Sequence, residues 1–332
     1  MSGAGPTGHP SVPSGPRITR TDVLLLVALG FLWGSAYVAI REGIVGGASP
    51  FIFAGTRYAL VAAILGLVAA ARAEPRPDRR AFLLSALVGG PFIIGFYGLL
   101  LYWGEQFTSG GYASVLSGLA PLLTVVFGYF LLRSERMSTE SVAGVVVGFV
   151  GMIVLVLPSL WGGVGGNWKG PAAILAAFVV FPLGTVLLRR WSRGPQGTWQ
   201  LATQFGVGAG IAGVAVVALP GPEHLPFTFA VWGSLLTLVI FASLMGYVVY
   251  FRLHHRVGPG GANLVAYLLP LVGIGIGSGF FGEPVTVWEV AGFGLVVVGL
   301  SLVFAGQRPR PSARDKTPAP SPTPPPPTEL PR

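Results

Sequence analysis

Ser114, Ser117, Pro121 and Thr124 follow one another at intervals of three, four and three residues in the stretch SVLSGLAPLLT, so on a helix they share one face. They offer three hydroxyls and a gap in the backbone ladder. Proline has no N–H, so Pro121 deprives the carbonyl of Ser117 of its helical donor. The other side of the stretch is apolar, with Val115, Leu119, Leu122 and Val126. Hydroxyls and a released carbonyl within an apolar run can hydrogen-bond a polar solute or water. They can equally serve packing, since small residues let helices approach and a proline can simply bend one. A second set occurs later, with Asn263, Tyr267, Pro270 and Gly273, where Ala266 is the carbonyl released.

Trp33 and Tyr37 lie one helical turn apart, beside Gly30 and Gly34. A membrane Trp belongs at headgroup level, but Trp33 stands in mid-run and suits a cavity wall or a packed core. Tyr97, Tyr102, Tyr247 and Tyr250 add aromatics. Tyr102 and Tyr250 are near the ends of their runs, where the interfacial belt explains them. Gln204 is a candidate to hydrogen-bond into the same space. Arg57 is the one basic residue inside an apolar run, and an intramembrane charge marks a site by default. The expectation for Arg57 is structural anchoring, by snorkelling outward or pairing with Glu42 or Glu105; facing a cavity, it would favour a carboxylate or other anion. No Asp or Glu lies near the middle of a run, so ion coupling would use Glu42 or Glu105 near the outer face, or hydroxyls and carbonyls, or the protein is uncoupled. The candidate solute-binding set is Trp33, Tyr37, Ser114, Ser117, Thr124, Gln204, Asn263 and Tyr267, shaped by Pro121 and Pro270, with Arg57 and Glu105 as charge sites.

The elements that must hold these residues are membrane helices. The 332-residue chain is 52% hydrophobic and only 10% charged, with a mean hydropathy of +0.71. A soluble domain carries about 25% charged residues. Runs of about 20 apolar residues suffice to span a bilayer, and ten occur: 22–40, 51–71, 81–103, 109–132, 142–158, 170–188, 198–219, 229–250, 260–281 and 288–306. The first lacks a small-residue cleavage site and reads as a retained helix. With the N-terminus placed in the cytoplasm, 18 of the 21 Lys and Arg residues fall in inside segments, and only Arg41 and Lys169 fall outside. That bias predicts ten spans with both termini cytoplasmic. The net charge of +9 is thus topological and does not call for nucleic acid. Residues 1–21 and the proline-rich 307–332 read as disordered tails.

The chain also repeats itself. GYASVLSGLAPLL at 111–123 matches GGANLVAYLLPLV at 260–272, with Pro121 against Pro270. Gly98 and Gly246, Tyr102 and Tyr250, Glu135 and Glu283, Gly144 and Gly292, and Gly151 and Gly299 all pair at an offset of 148. Residues 22–158 and 168–306 are therefore two five-helix copies, and five being odd, the second is inverted. The fold class is all-α integral membrane, ten helices in two inverted repeats. Such repeats are typical of transporters, with the site near the midplane between them.

With FLWGSAYVAI, TRYAL, SGLAPLLT followed by SER, and YLLPLV followed by GE, the chain resembles the EamA family of the drug/metabolite transporter superfamily over residues 22 to about 306. It departs from the usual pattern at GEP, where a basic residue often follows Glu, and at Pro182, where an aromatic is common. The resemblance implies a solute carrier in the cell membrane, commonly an exporter of metabolites or amino acids. Spans 1, 3, 4, 6, 8 and 9 would line its cavity.

The rival classes are a membrane scaffold or sensor and an intramembrane enzyme. No His and no Asp pair lies within a span to serve as a catalytic base or dyad, so no catalytic residue is expected. There is no Cys, and adjacent His254 and His255 make poor metal geometry, so no metal or cofactor is expected either. The partners expected are a small-molecule solute and the bilayer. GVVVG, GVGAG and GIGIG carry G-x-x-x-G spacing for close contacts, within the chain or in a homodimer. Glu135 and Glu283 read as loop-ordering residues, and Thr286 with Glu289 as a capping box matched by Ser138. Tags at residues 75 and 165 should report cytoplasmic and external positions respectively; the reverse outcome would overturn the orientation.

Overall fold

The computed structural model describes residues 19–132, 138–160, 167–192, 196–219, 224–262 and 264–306. Ten helices make the bundle: α1 (Arg20–Val45), α2 (Pro50–Ala71), α3 (Arg79–Gly104), α4 (Gly110–Leu132), α5 (Thr139–Leu157), α6 (Lys169–Trp191), α7 (Thr198–Ala218), α8 (Phe229–Val257), α9 (Val265–Phe281) and α10 (Val287–Gly306). All but α9 are long and apolar enough to cross a membrane. The run 260–281 was expected to be one span. Instead the helix of α8 runs on beyond its apolar span, past Val257 to Ala262, and α9 begins at Val265, so α9 has 17 residues. That is about 25 Å of helix, slightly short of the hydrocarbon core.

Local signals fix the ends. Thr19 and Asp22 cap α1 reciprocally, and Arg256 donates to Asp22 at 2.5 Å, tying the start of α1 to the end of α8. The predicted box before α10 is present: Thr286 N donates to Glu289 Oε2 at 3.0 Å, and Glu289 N to Thr286 Oγ1 at 3.2 Å. Ser138 caps α5 by accepting from Ser141 N. Gly282 ends α9 in the left-handed conformation, φ 66°, where glycine costs least.

The repeats meet through their last helices. A β-carbon on Gly144 would lie 2.5 Å from the carbonyl oxygen of Gly299, and one on Gly151 would lie 2.8 Å from that of Gly292. Gly144 is the repeat mate of Gly292, and Gly151 of Gly299. The contacts thus cross-pair the mates, as a two-fold axis between α5 and α10 requires. The glycines of GVVVG hold the chain to itself. The same exchange relates α1 on α9, where Gly30 faces Leu268 and Gly34 faces Val272, to α4 on α6.

Two helices depart from regular geometry at equivalent places. α3 widens over Ser85–Phe96 around Pro91, and α8 widens over Thr237–Met245. In α8 the amide of Gly246 bonds back to Phe241 O, five residues away. Such wide turns are rare and concentrate at functional sites.

α4 is interrupted. Regular helix runs over Gly110–Leu116 and resumes over Leu119–Leu132. Pro121 therefore sits in the first turn of a restarted helix, where it is tolerated. The carbonyl of Ser117 is not released, contrary to expectation: it accepts from Ala120 N at 3.0 Å in a tighter turn. Pro270, by contrast, lies inside continuous α9.

Gly299→Leu should lower the melting temperature of detergent-purified protein markedly, because overpacking costs about 1–3 kcal/mol. Gly275→Ala, at a glycine open to space, should leave it nearly unchanged.

Candidate functional site

Arg57 organises the interior. Its Nε and Nη2 donate to Ser243 Oγ at 3.3 and 3.1 Å, and Nη1 donates to Tyr102 Oη at 3.1 Å. Its guanidinium lies 5.9 Å from the centre of the Tyr58 ring, within cation–π range. Among the described residues no carboxylate comes within ion-pair distance of it. The expected pairing with Glu42 or Glu105 is therefore not made, and neither does Arg57 snorkel. Hydroxyls supply the acceptors and leave the positive charge uncompensated.

Aromatic rings extend from this centre. Trp33 meets Tyr247 at 6.1 Å and Tyr250 at 5.3 Å. Tyr247 meets Phe205, Phe205 meets Tyr58, and Tyr58 meets Tyr102, all within 6.3 Å. Five helices, α1, α8, α7, α2 and α3, thus contribute to one aromatic chain. Tyr37 contacts Phe178 of α6, and its hydroxyl interacts with those of Ser117 and Tyr97. Trp33, Arg57, Tyr97 and Tyr247 are half-buried.

The backbone explains why the rings fit. The wide turn in α8 diverts the Gly246 amide, and the Ala242 carbonyl accepts from Trp33 Nε1 at 3.1 Å instead. A β-carbon on Gly246 would approach that nitrogen to 2.5 Å. Its repeat mate Gly98 makes room for the Tyr58 hydroxyl in the same way. Ser243 completes its own bonding by donating to Leu238 O, again five residues back.

The candidate residues divide. Trp33, Tyr37, Ser117 and Arg57 come together. Ser114, Ser117 and Thr124 donate to the carbonyls of Gly111, Ser114 and Ala120 in their own helix, at 2.6, 2.6 and 2.7 Å. Ser114 also packs on Gly273 of α9. Gln204 donates to Gln196 Oε1 at 2.9 Å and lies against Gly89 of α3, away from Arg57. Tyr267 stacks near Phe304 of α10. Asn263 and Glu135 lie outside the described residues. Tyr102, expected in the interfacial belt, is 0% exposed and holds Arg57. Tyr58, Phe205 and Ser243 were not singled out. Their only signals were the adjacency of Tyr58 to Arg57 and the position of Phe205 as repeat mate of Arg57.

At the end of α3, Glu105 is 0% exposed, and among the described residues neither carboxyl oxygen has a hydrogen-bond partner. Burial, reinforced by the charge of Glu283, pushes its carboxyl well above the usual carboxylate range. Arg41 is nearby, but its Nη1 donates to the backbone carbonyls of Glu105 and Gln106, at 2.8 and 3.1 Å. Glu283 orders a loop as expected, bonding the amides of Gly110 and Gly111 at 2.9 and 3.0 Å. Among the described residues no group of His, Asp and Glu could hold a metal ion.

The sequence matches the EamA-like transporter family twice, over residues 20–157 and 168–305. An uncharacterized transporter of Bacillus subtilis, YvbV, is 29% identical, covering 89% of this chain and 95% of its own. The uncharacterized inner membrane transporter YedA of Escherichia coli is 27% identical, covering 85% of this chain and 90% of its own. A crystal structure that is 19% identical shares the fold, with a TM-score of 0.60 over 87% of this chain and 99% of that one. Two family matches, one on each inverted repeat, place the chain in the cell membrane as a multi-pass protein that belongs to the EamA-like transporter family.

Proposed function

We propose that the protein is a secondary transporter that exports a small organic solute, a metabolite, amino acid or drug-like compound, by alternating access. The observation that carries this reading is Arg57: an enclosed cation with hydroxyl partners and, among the described residues, no carboxylate, facing aromatic walls where the inverted repeats meet. A carboxylate or other anionic group on the solute would meet the guanidinium in a charge-assisted, bidentate pair. The rings of Trp33, Tyr37, Tyr58 and Tyr247 would take its apolar body. The interruption of α4 at Ser117–Gly118 and the wide turns of α3 and α8 are where helices can bend between states. Export, with the termini in the cytoplasm, rests on the family likeness and the arginine distribution.

Metabolite profiling of cells with and without the protein should identify a solute whose efflux follows its expression, and proteoliposomes should then carry that solute. Arg57→Gln should lower flux about thirtyfold or more, since losing one partner of an enclosed charge pair costs about 2 kcal/mol or more. Trp33→Ala and Ser117→Leu should also impair flux at unchanged expression. Folded protein that carries no solute would leave a scaffold or sensor in place of a carrier.

A further inference from the structure

Glu105 is out of place for a residue with only a structural role. Its repeat mate is Leu253, which is also buried, at 1% exposure, so the packing at this position does not require an acid. An unpaired carboxylate anion removed from water costs several kcal/mol, and nothing here offsets that cost with a donor. The charged and titratable groups around it are accounted for. From α1, Arg41 is engaged by two backbone carbonyls, and Tyr37 senses the carboxyl from further off. From α2, Arg57 is engaged by Tyr102 and Ser243. Tyr102 of α3 itself is bonded to Arg57. From α6, Ala173 and Ile174 pack against the neighbouring Gly104. After α9, Glu283 faces it with like charge, and Glu283 is itself faced by the carboxyls of Glu42 from α1 and Glu289 from α10.

Glu283 also closes this end of the bundle. It folds back over α9, its amide bonded to Gly277 O at 3.0 Å, and its two oxygens hold the first two amides of α4. This latch joins the second repeat to the first. A small cavity lined by Thr108, Ser109, Tyr112 and Pro284 lies beside it.

We propose that Glu105 is a proton-binding site that controls the Glu283 latch. With the proton on, Glu105 is neutral and Glu283 stays seated on Gly110 and Gly111. When the carboxylic acid releases its proton to water, two carboxylates repel and the latch loosens. A metal cation would need several oxygen ligands, and Glu283 has both of its oxygens engaged by amides; a proton needs one oxygen, which Glu105 has free. The consequence for transport rests on the carrier reading: pH on this side would set how readily this gate opens.

The test needs no solute. Purified full-length protein in liposomes is titrated while the carboxylic acid C=O stretch is followed by infrared difference spectroscopy. Amide exchange of the peptide containing Gly110 and Gly111, corrected for intrinsic rates, is measured in parallel. We expect a protonated carboxyl at neutral pH, lost on alkaline titration and absent from Glu105→Gln. Protection of the two glycine amides should fall about tenfold above the midpoint, the effect of one pH unit of coupling, and should stay high throughout in Glu105→Gln. Glu283→Gln should lower the midpoint by about one pH unit and abolish the protection at every pH. This variant keeps the test decisive should Glu105→Gln fail to fold. No protonated carboxyl at neutral pH, a band that survives Glu105→Gln, an unmoved midpoint in Glu283→Gln, or a response to sodium at fixed pH would each overturn the proposal. Because flux is not the readout, failure of the carrier reading would leave this result standing, and the converse holds.

Discussion

An arginine enclosed by membrane helices must find acceptors among its neighbours, and Arg57 finds hydroxyls and a ring face. That choice governs the interior. A carboxylate partner would neutralise the guanidinium and close the account of charge within the protein. Hydroxyls of Tyr102 and Ser243 orient the group and ease its desolvation while leaving a full positive charge. The helices around it are arranged to make those hydroxyls available. Ser243 belongs to the wide turn of α8, and Tyr102 reaches in from the last turns of α3. The same turn that brings Ser243 frees the Ala242 carbonyl that fixes Trp33.

The inverted repeat supplies the frame, and the places where the copies differ supply the site. In α3, Gly89, Gly90 and Gly95 let the helix lie against Gln204, Val207 and Ile211 of α7. Their mates in α8 are Thr237, Leu238 and Ser243, which carry side chains and cannot make the same approach to α2. Into that less intimate contact comes Arg57, whose own mate is Phe205. One half of the molecule thus presents a glycine-lined joint where the other presents a hydroxyl and a cation. A symmetric backbone with an asymmetric set of side chains gives a single polar centre.

Much of the fold was legible because its causes are local and repeated. Apolar runs of bilayer length mark the helices, and glycines at an offset of 148 mark the copies. The structure adds that Gly144 and Gly151 pair with Gly299 and Gly292, a crossing that the spacing alone does not specify. The site was legible only in part. Arg57, Trp33 and Tyr37 stood out by type and depth. Ser243 did not, because its approach depends on a wide turn that no residue type announces. Tyr58 and Phe205 read as ordinary helix residues until Arg57 gave them a centre. Ser114 and Thr124 show the opposite case. Spacing places a hydroxyl on a face, but its proton can go to a carbonyl three or four residues back in its own helix, as it does here.

The two prolines carry this lesson furthest. Equivalent in sequence, they are not equivalent in effect. Pro121 opens the second half of a divided α4, after a tight turn in which Ser117 O accepts from Ala120 N. Pro270 removes one donor from the ladder within α9, which runs on through it from Val265 to Phe281. A proline deletes one donor, and the surrounding helices decide whether the chain restarts, bends or passes through. In α4 the restart falls where Gly118 packs on Val296 of α10 and where Ser117 meets Tyr37, which in turn meets Tyr97. The break therefore joins the repeat interface on one side to the aromatic interior on the other. A shift at that joint would move the Tyr37 and Tyr97 hydroxyls beside Arg57 together with the start of α4, on which Glu283 is seated.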